Sequence, residues 1–162
     1  MSTSLIRLIE VTATKGEASF SMAEEIQNKS GDQSIHPLAL KALLVVDDDK
    51  QLASALQWIL RDENYLVDVA FDGEEALLKV KIHEYDAVIC DLMMPRLRGD
   101  EFYLQAKELR PALQDRFIFI TGFAADSGMK DFLNDHDLKH LAKPFAIQEL
   151  IDYVKELLGE KP

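Results

Sequence analysis

Cysteine is almost absent from these 162 residues: Cys90 stands alone. An internal disulfide and a cysteine-based zinc site are both excluded. Cys90 lies in the apolar run Ala87-Val88-Ile89-Cys90, so it reads as a small hydrophobe of a buried strand. Long hydrophobic runs are missing too, and nothing approaches the roughly 18 apolar residues that span a bilayer. The opening Met1-Ser2-Thr3-Ser4-Leu5-Ile6 is broken by Arg7 and Glu10, a poor signal peptide. A cytoplasmic protein without a membrane partner is expected. Positive charge is scarce: the formal net charge is -11, which argues against direct nucleic-acid contact, since such proteins present basic surfaces. The seven glycines form no phosphate-binding P-loop. His36, His83, His136 and His140 show no metal-ligand spacing.

What is present divides near residue 41. Residues 1–41 carry four Lys/Arg and five Asp/Glu, so nearly all the acidity lies beyond them. Leu5–Val11 and Ala18–Met22 suggest short strands, Asn28–Ser34 is polar, and Pro37 interrupts any helix. Residues 1–40 therefore read as an extension, linker or remnant of a preceding domain. From Lys41 strands and helices alternate. Ala42–Val46, Leu66–Ala70, Ala87–Cys90, Phe117–Thr121 and Leu138–Ala142 are short apolar runs of the kind buried on both faces of a parallel sheet. Between them, Leu52, Leu56, Ile59 and Leu60 recur at helical spacing after Asp49, a helix cap. Asp72-Gly73 is read as a turn before a helix through Ala76, Leu77 and Val80. Phe102, Ala106 and Leu109 mark a third helix, Met129–Asn134 a fourth, and Ile147 to Leu158 a fifth. Five strand–helix pairs predict an α/β fold with helices on both faces of a parallel sheet. Ligands of such sheets sit outside the carboxyl ends of the strands.

At those ends stand Asp47-Asp48-Asp49, Asp91, Thr121 and Lys143. Clustered carboxylates make a hard oxygen site suited to Mg²⁺, and a carboxylate can act as a nucleophile through an aspartyl-phosphate. Thr121 and Lys143 offer a hydroxyl and a positive charge to phosphoryl oxygens. Asp also starts turns and caps helices, and Asp49 fits that lesser role. Carboxylates packed together repel unless a cation compensates, so stability alone does not explain the assembly.

Leu43-Leu44-Val45-Val46-Asp47-Asp48, Asp91-Leu92-Met93-Met94-Pro95 with Gly99, Ile120-Thr121-Gly122 and Lys143-Pro144-Phe145 together resemble the receiver domains of response regulators. The resemblance covers residues 41–160, with every motif in order. It implies a flavodoxin-like (βα)₅ fold with strand order 2-1-3-4-5. It also implies a phosphorelay role: Asp91 takes a phosphoryl group from a sensor histidine kinase or a histidine phosphotransfer protein and thereby switches partner binding. Asp47, Asp48, Asp91 and the backbone carbonyl of Met93 would hold Mg²⁺ or Mn²⁺. Lys143 would pair with Asp91 and then with the phosphoryl group, and Thr121 would move to bond it. The Lys143–Pro144 peptide would be cis. No turnover enzyme acting on an external substrate is implied, and a monomer or weak dimer, the latter through the fourth and fifth helices, is expected.

Three positions depart from the commonest pattern. His140 stands where the family often carries an aromatic switch, and would swing inward with Thr121. Met93 and Phe123 border the path of the attacking water in the family, so their bulk would prolong the aspartyl-phosphate. Trp58 falls off the first helix's apolar stripe and should be exposed, on a surface the family uses for docking. A haloacid-dehalogenase-type hydrolase would need an Asp where Met93 stands, and a flavin-binding relative would need a phosphate-cradling loop in place of Asp47-Asp48-Asp49. A receiver that docks partners without phosphorylation is the remaining alternative.

Overall fold

The computed structural model describes residues 40–122 and 127–160. The strands expected at Leu5–Val11 and Ala18–Met22, and Phe123, lie outside them. Within the described part the chain alternates β1 (Ala42–Val46), α1 (Lys50–Asp62), β2 (Leu66–Ala70), α2 (Gly73–Ile82) and β3 (Ala87–Asp91). It continues through α3 (Gly99–Leu109), β4 (Phe117–Thr121), α4 (Ser127–Asp135), β5 (Lys139–Ala142) and α5 (Ile147–Leu158). The strands form one parallel sheet in the order 2-1-3-4-5, the flavodoxin-like arrangement the motifs implied.

Alternation along each strand sends its side chains to opposite faces. Leu43 and Val45 of β1 pack with Ala53, Leu56 and Leu60 of α1 and Leu150 and Val154 of α5. Leu44 and Val46 face the other way, toward Ala76 and Val80 of α2, Phe102 and Tyr103 of α3, and Met129 and Leu133 of α4. Each fully buried Leu or Phe contributes about 1.5–3 kcal/mol over leaving it in water. The second face is the more aromatic: Tyr103 meets Phe117, Phe119 and Phe132 edge-on at centroid distances of 5.0, 6.0 and 5.8 Å. The edge strand β2 is protected, because the Val67 carbonyl accepts from Gln57 Nε2 at 2.8 Å and from Arg61 at 3.0 Å. A carbonyl so occupied is no template for a further strand.

The helix boundaries follow their caps. Asp49 has extended backbone and accepts from the Gln51 and Leu52 amides, as expected of it. Asp72-Gly73 is more than a turn: Asp72 caps α2 through the Glu75 amide at 2.8 Å, and Gly73 is already the first helical residue. The fourth helix is longer than the apolar spacing suggested, because its ends are polar. A short 3₁₀ turn at Pro111–Leu113 was not anticipated.

β1 lies between β2 and β3, so successive connections leave it in opposite directions and its carboxyl end borders an open crevice. Val46 pairs with Cys90, which sets Asp47 beside Asp91.

Candidate functional site: the strand-end carboxylates

Asp47, one residue past β1, is 1% exposed. Its Oδ1 accepts from the Asp49 amide at 2.8 Å, and its Oδ2 accepts from Lys143 Nζ at 3.0 Å. Asp91, the last residue of β3, is also buried. Its Oδ1 accepts from the Met93 amide at 2.7 Å and its Oδ2 from the same Lys143 Nζ at 2.5 Å. Asp48 is exposed, yet one oxygen from each of Asp47, Asp48 and Asp91 falls within a 4.8 Å group. A single ammonium thus bridges two buried carboxylates, and a third carboxylate faces solvent beside them.

The local backbone explains why these side chains meet. Lys143 N donates to the Thr121 carbonyl at 2.7 Å, carrying the sheet ladder past β5 and aiming the lysine across the strand ends. The Lys143–Pro144 peptide is cis, as the resemblance implied. On the other flank Gly99 is pressed onto the end of β3: a Cβ there would stand 2.3 Å from the Asp91 carbonyl oxygen. Gly99 N also donates to the Leu92 carbonyl at 3.1 Å, which closes the loop after Asp91.

Electrostatics pull the two partners unequally. Burial pushes the Asp47 carboxyl above the usual carboxylate range, and the bonds from Lys143 and the Asp49 amide only partly oppose it. For Lys143 burial alone would lower the ammonium, but hydrogen bonds and charge from Asp91 and Asp47 outweigh it and raise it. The short contacts to both carboxylates keep Lys143 charged. Two buried carboxylates share one half-buried cation, so the site is left with negative charge that a divalent cation would neutralise. The donors are hard oxygens grouped closely enough to share an ion, which fits Mg²⁺ or Mn²⁺.

The other predicted residues lie at differing removes. Thr121 ends β4 and is buried, and its hydroxyl donates to the Gly122 carbonyl at 3.0 Å rather than to a carboxylate. Met93 directs an exposed side chain outward while its amide engages Asp91. His140 is exposed on β5, with Nδ1 3.3 Å from the Leu138 carbonyl, and is not drawn into the constellation. Trp58 is 75% exposed, as its position on α1 predicted. Cys90 is wholly buried, and burial holds its thiol well up. A cleft of about 460 Å³, lined by Arg61, Tyr65, Asp68, His83 and Tyr85 among others, opens at the amino ends of the strands.

Comparison with known proteins agrees with this geometry. The family described as the response regulator receiver domain matches residues 43–155. The Streptococcus agalactiae transcriptional regulatory protein DltR is 36% identical over 116 residues, covering 70% of this chain and 50% of that protein. The Staphylococcus aureus response regulator ArlR is 34% identical over 123 residues, covering 74% and 53%. The chain thus spans about half the length of these curated relatives. A relative named as a transcriptional regulator does not fit a blanket exclusion of nucleic acid, so that expectation narrows to the receiver portion. Among solved structures, a CheY-like receiver domain protein from Methanospirillum hungatei superposes with a TM-score of 0.69 at 29% identity, covering 75% of this chain and 95% of that one. The response regulator TrrA from Thermotoga maritima, in complex with Mg²⁺ and BeF, has a TM-score of 0.63 and 34% identity, covering 74% and 100%. With the order 2-1-3-4-5 and the acidic strand ends, these matches show that the chain belongs to the response regulator receiver domain family of two-component signalling.

Proposed function

We propose that Asp91 is the phosphoacceptor of this receiver and that its phosphorylation switches the binding of a partner protein. The observation that carries this reading is the bridge from Lys143 Nζ to Asp91 at 2.5 Å and to Asp47 at 3.0 Å, with Asp48 alongside. A carboxylate oxygen of Asp91 attacks the phosphorus of a phosphohistidine on a sensor kinase or phosphotransfer protein. The O–P bond forms as the P–N bond breaks, and the leaving imidazole takes up a proton. Asp47, Asp48, Asp91 and the Met93 backbone carbonyl would hold Mg²⁺ or Mn²⁺, which when bound supplies charge neutralisation for the phosphoryl oxygens. Lys143, freed from Asp91 by formation of the acyl phosphate, would follow the charge onto the phosphoryl group.

Thr121 would rotate its hydroxyl from the Gly122 carbonyl to a phosphoryl oxygen, drawing the end of β4 toward the site. His140, in register with Phe119 on the neighbouring strand, would respond as the switch residue. Met93, and Phe123 beyond the described residues, would slow hydrolysis by obstructing water. On this reading residues 41–160 act as one receiver domain, with residues 1–40 a linker or extension. The protein then passes a signal rather than turning over an external substrate, as a monomer or weak dimer in the cytoplasm.

Incubation with acetyl phosphate or beryllium fluoride, with and without Mg²⁺, followed by intact mass or the fluorescence of Trp58, tests this. A Mg²⁺-dependent phosphoryl mass gain that vanishes in Asp91→Asn is expected. A folded sample that gives neither adduct nor spectral change would return the protein to a docking role without phosphorylation.

A further inference from the structure

The loop that follows Asp91 is held from outside the site by a second charged pair. Asp72 is 4% exposed. Its Oδ1 is taken by the Glu75 amide at 2.8 Å, and its Oδ2 pairs with the Arg96 guanidinium. Arg96 has φ of 68°, the left-handed region that a non-glycine residue occupies only when its surroundings hold it there. Leu97 N donates to the Pro95 carbonyl at 2.9 Å, closing a tight three-residue turn on Arg96. The next residues along both chains meet as well. A Cβ on Gly73 would lie 2.7 Å from the Leu97 carbonyl oxygen and 2.9 Å from the Leu97 Cβ, so Gly73 has space only for Leu97. Asp72-Gly73 therefore clasps Arg96-Leu97, one dipeptide on another.

From this geometry we infer that the Asp72–Arg96 clasp sets the position of Met93. Its two ends explain how. The loop between Asp91 and Gly99 is closed at its base by the Gly99 amide on the Leu92 carbonyl. Its far end is fixed by the clasp. Met93 lies between these two anchors, donating its amide to Asp91 at 2.7 Å. Arg96 and Asp72 are thus positioning residues: they touch neither phosphoryl donor nor cation, and act through the amide and carbonyl of Met93. The inference rests on the reading of the strand ends as a divalent-cation site.

Its test turns on sign. Arg96 is a positive charge on the loop beside an acidic site, so by charge alone Arg96→Ala should tighten the binding of a divalent cation. Loss of the clasp should weaken it, by about tenfold if it resembles other residues that orient metal ligands. Calorimetric titration of the full chain with Mg²⁺ alone should show that weakening in Arg96→Ala and in Asp72→Asn. The double variant should be no worse than either single one, and Arg96→Lys should restore part of the affinity. Asn remains a good helix cap, which keeps α2 formed in Asp72→Asn. Arg98→Ala removes the same charge from the same loop outside the clasp and should not weaken binding. In the metal-free chain the Met93 and Leu97 amides should exchange faster with solvent in Arg96→Ala than in Arg98→Ala. Unchanged or tighter Mg²⁺ binding in folded Arg96→Ala, with normal binding by the unmodified chain, overturns the clasp and leaves the site reading standing. Absence of Mg²⁺ binding in the unmodified chain overturns both.

Discussion

Lys143 has one ammonium for two buried carboxylates, and that imbalance predicts opposite effects from neighbouring substitutions. Asp47 is pushed up mainly by burial, so its ionised form is disfavoured in the folded state relative to the unfolded one. That cost appears as pH rises through the carboxylate range and persists at neutrality. Asp47→Asn should therefore stabilise the metal-free protein by about 1 kcal/mol, although it removes a proposed metal ligand. Lys143→Ala leaves Asp47 and Asp91 buried without their cation and should destabilise it by about 3 kcal/mol. Urea denaturation of the two variants without added cation checks the pair. Shifts of the same sign would mean that charge crowding is not what limits stability here.

At the scale of elements, the site depends on how closely α3 approaches β3. The Gly99 backbone sits so close to the end of β3 that an added Cβ would stand 2.3 Å from the Asp91 carbonyl oxygen and 2.9 Å from the Leu92 Cα. These neighbours are backbone and cannot rotate aside. Gly99→Ala must move the start of α3 or the end of β3, which should cost about 1–3 kcal/mol, as overpacking does. The displacement falls on Asp91, the proposed phosphoacceptor, so on that reading phosphorylation by acetyl phosphate should slow more than the stability loss explains. Chemical denaturation together with the phosphorylation rate tests this. A stable Gly99→Ala with normal kinetics would show that the contact relaxes without cost.

For the whole molecule, the sheet is pinned at its far end by a carboxylate with no part in the chemistry. Asp86 accepts from Lys41 Nζ and from the Ala42 amide, both at 2.9 Å, and its own amide donates to the Ala42 carbonyl at 2.7 Å. Burial alone would raise its carboxyl, but the Ala42 amide, Lys41 and Arg116 outweigh it and lower it from 3.8. A depressed carboxylate stabilises the fold above 3.8, and that stabilisation is lost as pH falls through the lower folded-state value. With 35% of the Asp86 side chain and 45% of Lys41 exposed, solvent screening keeps the effect below about 1 kcal/mol. Asp86→Asn should thus be slightly less stable than the parent at neutral pH, and the gap should close below 3.8. Denaturation midpoints of both proteins across that range check it, and a gap independent of pH would assign the loss to hydrogen bonding alone.

The five apolar runs, the helical stripes between them and Asp47, Asp48, Asp91, Thr121 and Lys143 at the strand ends are all legible without coordinates. Strand period and helix period are local consequences of residue order, and the alternation of strands with helices implies crossovers that make the strands parallel. So is Asp49 as a cap, since its side chain needs only the next turn of its own chain. The remainder depends on which distant segments touch. Asp72-Gly73 looks like any turn until the fold sets it against Arg96-Leu97. Gly99 looks like a loop residue until α3 lands on the Asp91 carbonyl. That Lys143 bridges Asp47 and Asp91, while Thr121 bonds its neighbour and His140 stays outside, depends on side-chain rotation and strand register. Those are decided by packing between elements far apart in sequence, so only the tertiary structure contains them.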